Sequence, residues 1–289
     1  MSLTDSTTRN VQIVTGSSTA TFTAPNLITY QLPGMGFVTG RDEVAMKSLT
    51  VYYSWPNVSQ ALANNTYSYI WPATGLTYPI VMSDGIYQFA DLLSYLQQVM
   101  VQNGHYLVDS NGLNVFFLNI VVNPVLYCLS LIVTPLPPSL PTNWTNPGAV
   151  NLSAAGGNGP QLVIPTTIAT LLGFAAGSYP AAPQTTTFSL NSGIPQITGV
   201  TSINLLCNLV DNRGFSLSPN ILTTVPLPSS TMAGSLLSTS QNNLDWTPIK
   251  QQQTFQTITI EFVDQLLRPL QIRDPTGIVI VLNMRKRAQ

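Results

Sequence analysis

"FFLNIVVNPVLYCLSLIVTPLPP", residues 116–138, is the most apolar segment of the chain, and its reading decides the fold. A helix that crosses a bilayer needs about 20 consecutive apolar residues, so the length alone fits a span. Asn123-Pro124 stands in the middle, however. The proline removes a backbone donor and pushes Asn123 out of helical geometry. The two halves are rich in Val and Ile, whose branched side chains favour extended backbone. The run is therefore read as two strands about a turn rather than a membrane span. Phe116, Leu118, Ile120 and Val122 then share one face of the first strand, and Tyr127, Leu129, Leu131 and Val133 one face of the second.

Upstream, Asn111-Gly112 between two strand-like runs is the strongest short hairpin signal in the chain. Before it, "FADLLSYLQQVMVQNG" places Phe89, Leu92, Leu93, Leu96, Val99 and Met100 at spacings of three and four, the stripe of one amphipathic helix. Asp91 suits its first turn and Asn103-Gly104 its end, while Gln88 stands where Ser or Thr is the usual cap. Further back the period is two. Leu49, Val51, Tyr53 and Trp55 alternate with polar residues, as do Tyr67, Tyr69 and Trp71, then Tyr78, Ile80 and Met82. Residues 1–44 are polar, weakly patterned and punctuated by Pro25, Pro33, Gly34, Gly36 and Gly40, and read as an N-terminal arm.

Downstream, residues 135–200 form a Pro/Gly/Asn/Thr-rich stretch that reads as a long loop insertion, with a short helix around Ile168, Leu171 and Leu172 ended by Gly173. Strands resume at Ile203, Leu205, Cys207 and Leu209, with a turn at Asp211–Gly214. They continue through "ILTTVPL" from Ile221, Ile258, Ile260 and Phe262, and "IVIVLNM" from Ile278. Asp274-Pro275-Thr276-Gly277 turns the chain before the last of them. The sum is an all-β protein with one or two short helices: an antiparallel two-sheet jelly-roll sandwich over residues 45–289, closed by pairing between residues near 50 and near 280. A barrel, or a second small β domain made from 135–200, are the alternatives.

Charge is scarce. Asp, Glu, Lys and Arg make up 7% of the 289 residues, against about 25% in an average soluble domain. No charged residue occurs between Asp109 and Asp211, and the net charge is -1. That balance excludes a protein that wraps nucleic acid through a basic exterior. Ser, Thr, Asn and Gln hydrate such a surface but give copies of the molecule little mutual repulsion, which favours a subunit that buries its exterior against neighbours. Arg285, Lys286 and Arg287 form the one basic cluster, read as a solvated tail with a weak genome contact as the functional alternative.

Chemistry-bearing residues are few. His105 is the sole histidine and has no orienting partner in the sequence, so a structural or exposed histidine is expected rather than a general base. Glycine-rich "SAAGGNGP" lacks the lysine and following helix of a phosphate loop. Asp264, Arg268, Arg273 and Asp274 are read as residues that pin a hairpin, not as a hydrolytic carboxylate pair. Cys128 and Cys207 read as small buried hydrophobes whose disulfide state is open. The N-terminus shows no secretory signal, which makes the triplets at Asn57, Asn64, Asn143 and Asn151 unused as glycan acceptors. No catalytic, cofactor-binding or metal-binding residue is assigned, and an enzyme is not expected.

Four blocks carry a resemblance: "MKSLTVYYSWPNVSQALANNTYSYIW" (46–71), "YPIVMSDGIYQFADLLSYLQQVMVQNGHYLVDSNGLNVFFLNIVVNPVLYCLSL" (78–131), "LLGFAAGSYP" (171–180) and "ITIEFVDQLLRPLQIRDPTGIVIVLNMRK" (258–286). Together they resemble the penton-type minor capsid proteins of virophages, polintons and polinton-like viruses. The resemblance implies a jelly-roll subunit in the virion, assembled in the host cytoplasm or nucleus. It implies homopentamers at icosahedral fivefold vertices that contact the double-jelly-roll major capsid protein. The competing reading is a receptor- or carbohydrate-binding β-sandwich attachment protein, with Tyr67, Tyr69, Trp71 and Trp144 as candidate stacking residues.

Overall fold

The computed structural model describes residues 8–38, 42–197, 199–210, 220–228, 234–249 and 253–286. The turn expected at Asp211–Gly214, and Arg287 of the basic cluster, lie outside them. The chain begins with β1 (Arg9–Val14), β2 (Ala20–Ala24), β3 (Leu27–Val38) and β4 (Asp42–Tyr52). Next come β5 (Thr66–Ile70), β6 (Thr77–Val81), α1 (Phe89–Gln102), β7 (Leu107–Val108), β8 (Asn114–Val115), β9 (Leu118–Asn123) and β10 (Cys128–Val133). α2 (Leu152–Ala155), β11 (Gln161–Ile164), α3 (Thr166–Leu172), β12 (Gly177–Tyr179) and β13 (Phe188–Asn191) follow. β14 (Ser202–Cys207), β15 (Ile221–Pro226), β16 (Leu236–Ser240), β17 (Thr247–Pro248), β18 (Gln253–Asp264) and β19 (Val279–Lys286) complete the order.

The chain divides into two units, 1–55 with 200–289, and 56–199. In the first, β1-β19-β4-β16 form one sheet, with β17 also on β4, and β15-β14-β18-β3-β2 form the other. The antiparallel pairings are nested: β1 with β19, β3 with β18, β4 with β16, β14 with β15. Nested pairs that alternate between two sheets are the topology of a jelly roll. The pairing expected between residues near 50 and near 280 is there, with Leu49 opposite Ile280. Ile13, Leu49 and Ile280 from one sheet meet Ile28, Ile203 and Ile260 from the other in one core.

Two expectations about domain limits differ from this architecture. The segment read as an arm supplies β1, β2, β3 and the start of β4. Its strands alternate weakly because they lie at sheet edges or carry a shift of register, so their polar faces dominate the pattern. The insertion into the jelly roll runs from 56 to 199 rather than 135 to 200, and it is a unit with its own core.

In that second unit β12-β11-β5-β6 form a four-stranded sheet and β13-β10-β9 a three-stranded one. Tyr67, Tyr69, Ile80, Leu118, Leu131 and Leu162 are buried with Leu92, Leu96 and Met100 of α1. The stretch 116–138 is the hairpin expected of it, with Cys128 opposite Asn123 and Val133 opposite Leu118. No described helix is long and apolar enough to cross a membrane. The part read as loop contributes β11, which pairs with β5, and β13, which pairs with β10, so short strands among prolines finish both sheets. The helix expected before Gly173 is α3, ended by that glycine at φ +74°.

Candidate functional site

His105 follows α1, its N–H donating to the Met100 carbonyl at 2.8 Å. The imidazole is buried, stacked on Trp71 at 4.3 Å between ring centres and edge-on to Tyr78 at 4.4 Å. Its Nδ1 shares a 2.8 Å hydrogen bond with the Tyr69 hydroxyl, which also accepts from Asn103 Nδ2 at 3.3 Å. Burial pushes the His105 pKa down to about 4 and the Tyr69 hydroxyl well above its usual range. A neutral imidazole among aromatic rings holds the end of α1 against β5 and β6.

The carboxylates likewise organise loops. Asp264 Oδ1 accepts from the backbone N–H groups of Leu266 and Arg268, and Oδ2 from Arg268 Nε at 2.6 Å. Asp274 accepts from the hydroxyl and N–H of Thr276, and these donors hold its carboxyl below the usual range. Asp109 does the same in the β7–β8 turn, accepting from Asn111 and Leu113. Cys128 and Cys207 are both buried, and no disulfide joins them. Asn64 and Asn151 spend their side chains on local backbone groups, and Asn57 spends its own on distant ones at Tyr87 and Ile197.

The basic cluster is not a tail where it is described. Arg285 lies in β19, its Nη2 3.0 Å from Glu43 Oε2 and its guanidinium 4.0 Å above the Trp246 ring. An arginine so paired has little charge left to offer a phosphate. Lys286 is the exposed end of the same strand. Of the aromatics considered for sugar stacking, Tyr67, Tyr69 and Trp71 are core residues, and Trp144 is partly buried against the same core. Alternation marked these strands correctly but does not say which face is wet.

Several large apolar side chains are also exposed. At the β9–β10 turn Val125 is 82%, Leu126 56% and Tyr127 78% exposed, with Val121 and Val122 beside them about half so. The tip is built rigidly: Asn123 Oδ1 accepts from the Leu126 N–H at 3.1 Å, and Tyr127 takes the left-handed region at φ +50°. In the jelly roll, an uncharged cleft of about 510 Å³ opens between β15 and β16. Leu49, Val51, Ile203 and Val225 line its buried side, and Leu237 and Thr239 of β16 stand opposite Val51 and Leu49 on the same face. Among the described residues β15 and β16 are edge strands of their sheets.

No family model matches the chain, and no curated protein matches it in sequence. Among solved structures it is similar to the crystal structure of the mavirus penton protein, at 9% identity and a TM-score of 0.48, over 97% of this chain and 99% of that one.

Proposed function

We propose that the chain is a structural capsid subunit of the penton type, located in the virion, that assembles with copies of itself at icosahedral vertices and contacts the major capsid protein there. The observation that carries this reading is the sequence resemblance of four blocks between residues 46 and 286. A jelly roll by itself hosts many functions, lectins as well as shells. The charge-poor composition supports the shell: many copies meet through large neutral surfaces, and weak contacts repeated by symmetry stabilise a closed assembly. A sugar-binding role is weaker, because three of its four candidate aromatics are core residues.

Native mass measurement of the purified chain is expected to give a closed ring of five copies. Labelling of intact particles is expected to place the chain at the fivefold vertices. A chain that stays monomeric at high concentration and is missing from purified particles overturns the reading.

A further inference from the structure

Two hairpin turns in the 56–199 unit differ in kind. The β7–β8 turn is Asp109-Ser110-Asn111-Gly112-Leu113, whose first residues satisfy their own backbone and which exposes one apolar side chain, Leu113. The β9–β10 turn is Pro124-Val125-Leu126-Tyr127, three large apolar side chains held out to solvent by a side-chain cap and a strained residue. A local rule broken this way, with the cost of a left-handed tyrosine added, marks a surface kept for contact.

The chain also carries a receptor for such a tip. The β15–β16 cleft is lined by apolar side chains on its buried side and by Ser235 and Thr239 along β16. Its volume falls within the roughly 300–1,000 Å³ range of sites that bury most of a ligand. Neither partner has a charge to desolvate: the tip lies in the stretch without charged residues, and the cleft is lined by none. Tyr127 matches both kinds of lining, its ring suiting the apolar side and its hydroxyl the serine and threonine.

We propose that the 123–127 tip of one copy seats in the β15–β16 cleft of the next, so that self-association is head to tail. The inference rests on the reading of the chain as a self-assembling subunit and names the surfaces it uses. A tip of a few residues buries far less than the roughly 800 Å² per partner of a standard interface, so one such contact is weak. In a ring every copy offers its tip and its cleft together, and closure makes the weak contact effective. The two surfaces differ, which is the condition for rings rather than face-to-face dimers.

Sedimentation velocity on the full chain tests this with Leu126→Asp in the tip and Thr239→Asp at the cleft, with Tyr127→Ser as a milder tip change. Leu126 and Tyr127 are more than half exposed and Thr239, opposite Leu49, is partly buried, and circular dichroism verifies the fold. The wild-type chain is expected to assemble and each Asp variant to assemble at least about tenfold more weakly, the loss of one anchoring contact. A mixture of the two Asp variants keeps one intact tip and one intact cleft, and is expected to form no ring and only weak one-to-one dimers at high concentration. Assembly undiminished in Leu126→Asp overturns the inference but leaves the capsid reading standing. So does an effect of the tip variant without one of the cleft variant, or a tip that binds phosphatidylcholine vesicles and has no part in assembly. A wild-type chain that never assembles overturns both.

Discussion

His105 is a titratable residue held neutral by its surroundings. Its folded-state pKa is about 4 against an ordinary 6.5, because the buried ring is disfavoured in its charged form. The unfolded chain therefore takes up a proton first as pH falls, and acid draws the equilibrium toward it. The stability contributed by a neutral His105 is complete above pH 6.5, declines between about 6.5 and 4, and is fully lost below. A shift of this size corresponds to about 3 kcal/mol. Denaturant unfolding at a series of pH values is expected to show that decline in the wild-type chain and a flatter profile over the same window in His105→Phe. Equal slopes in both would place the acid sensitivity elsewhere.

At the scale of elements, what was legible from the sequence was alternation and turn chemistry. Asn123-Pro124 marked the β9–β10 hairpin, and Asn111-Gly112 marked the β7–β8 pair. The spacing of Leu92, Leu96 and Met100 marked α1, and Asp91 makes good the missing cap by accepting from the Gln88 N–H at 2.7 Å. What failed was alternation across a bulge. β4 shifts register against β19 between Val281 and Leu282, where Lys47 is the unmatched residue. Inward positions therefore run Val44 and Met46, then Leu49 and Val51, all in one core. A strict period of two sees only the second half, which is why the strand was expected to start near 48 and the residues before it looked like an arm. The contact that seats α1 was not legible either, because it is made of bare backbone. A Cβ added at Gly148 would lie 1.9 Å from the Gly104 carbonyl oxygen, while Gly104 itself is at φ +70°. Gly148→Ala is therefore expected to cost about 2 kcal/mol or more by forcing two loops apart beside His105. Gly112→Ala is strained but open to solvent, and is expected to cost about 1 kcal/mol. Thermal melts of the two variants separate close approach from backbone strain, and equal losses would show that the 104–148 contact contributes nothing of its own.

At the scale of the whole molecule, the hydrophobic residues were placed inside by pattern, but their division between two cores was not. Strands of both units share one composition, and only pairing assigns them: β4 and β14 are neighbours of β19 and β18, while β5 and β11, which lie between them in the chain, pair with each other. The exposed tip of the opening hairpin was equally hidden, since Val122 and Tyr127 continue the alternation of buried strand positions and differ only in lying past the sheet's cover. The insertion has its own closure. Asn57 Nδ2 donates to the Ile197 carbonyl at 2.9 Å and to the Tyr87 carbonyl at 2.8 Å, and its Oδ1 accepts from the Tyr87 N–H. One asparagine thus fastens the first and last residues of the unit, and the two core clusters have no member in common. Ends held together and a private core are the properties of a domain able to fold alone. Residues 56–199 expressed by themselves are expected to give a β-rich spectrum and one cooperative unfolding transition. Asn57→Ala in that fragment is expected to destabilise it by about 1–3 kcal/mol, the cost of leaving buried backbone groups unpaired. A fragment that melts without cooperativity would show instead that the insertion depends on the jelly roll for its order.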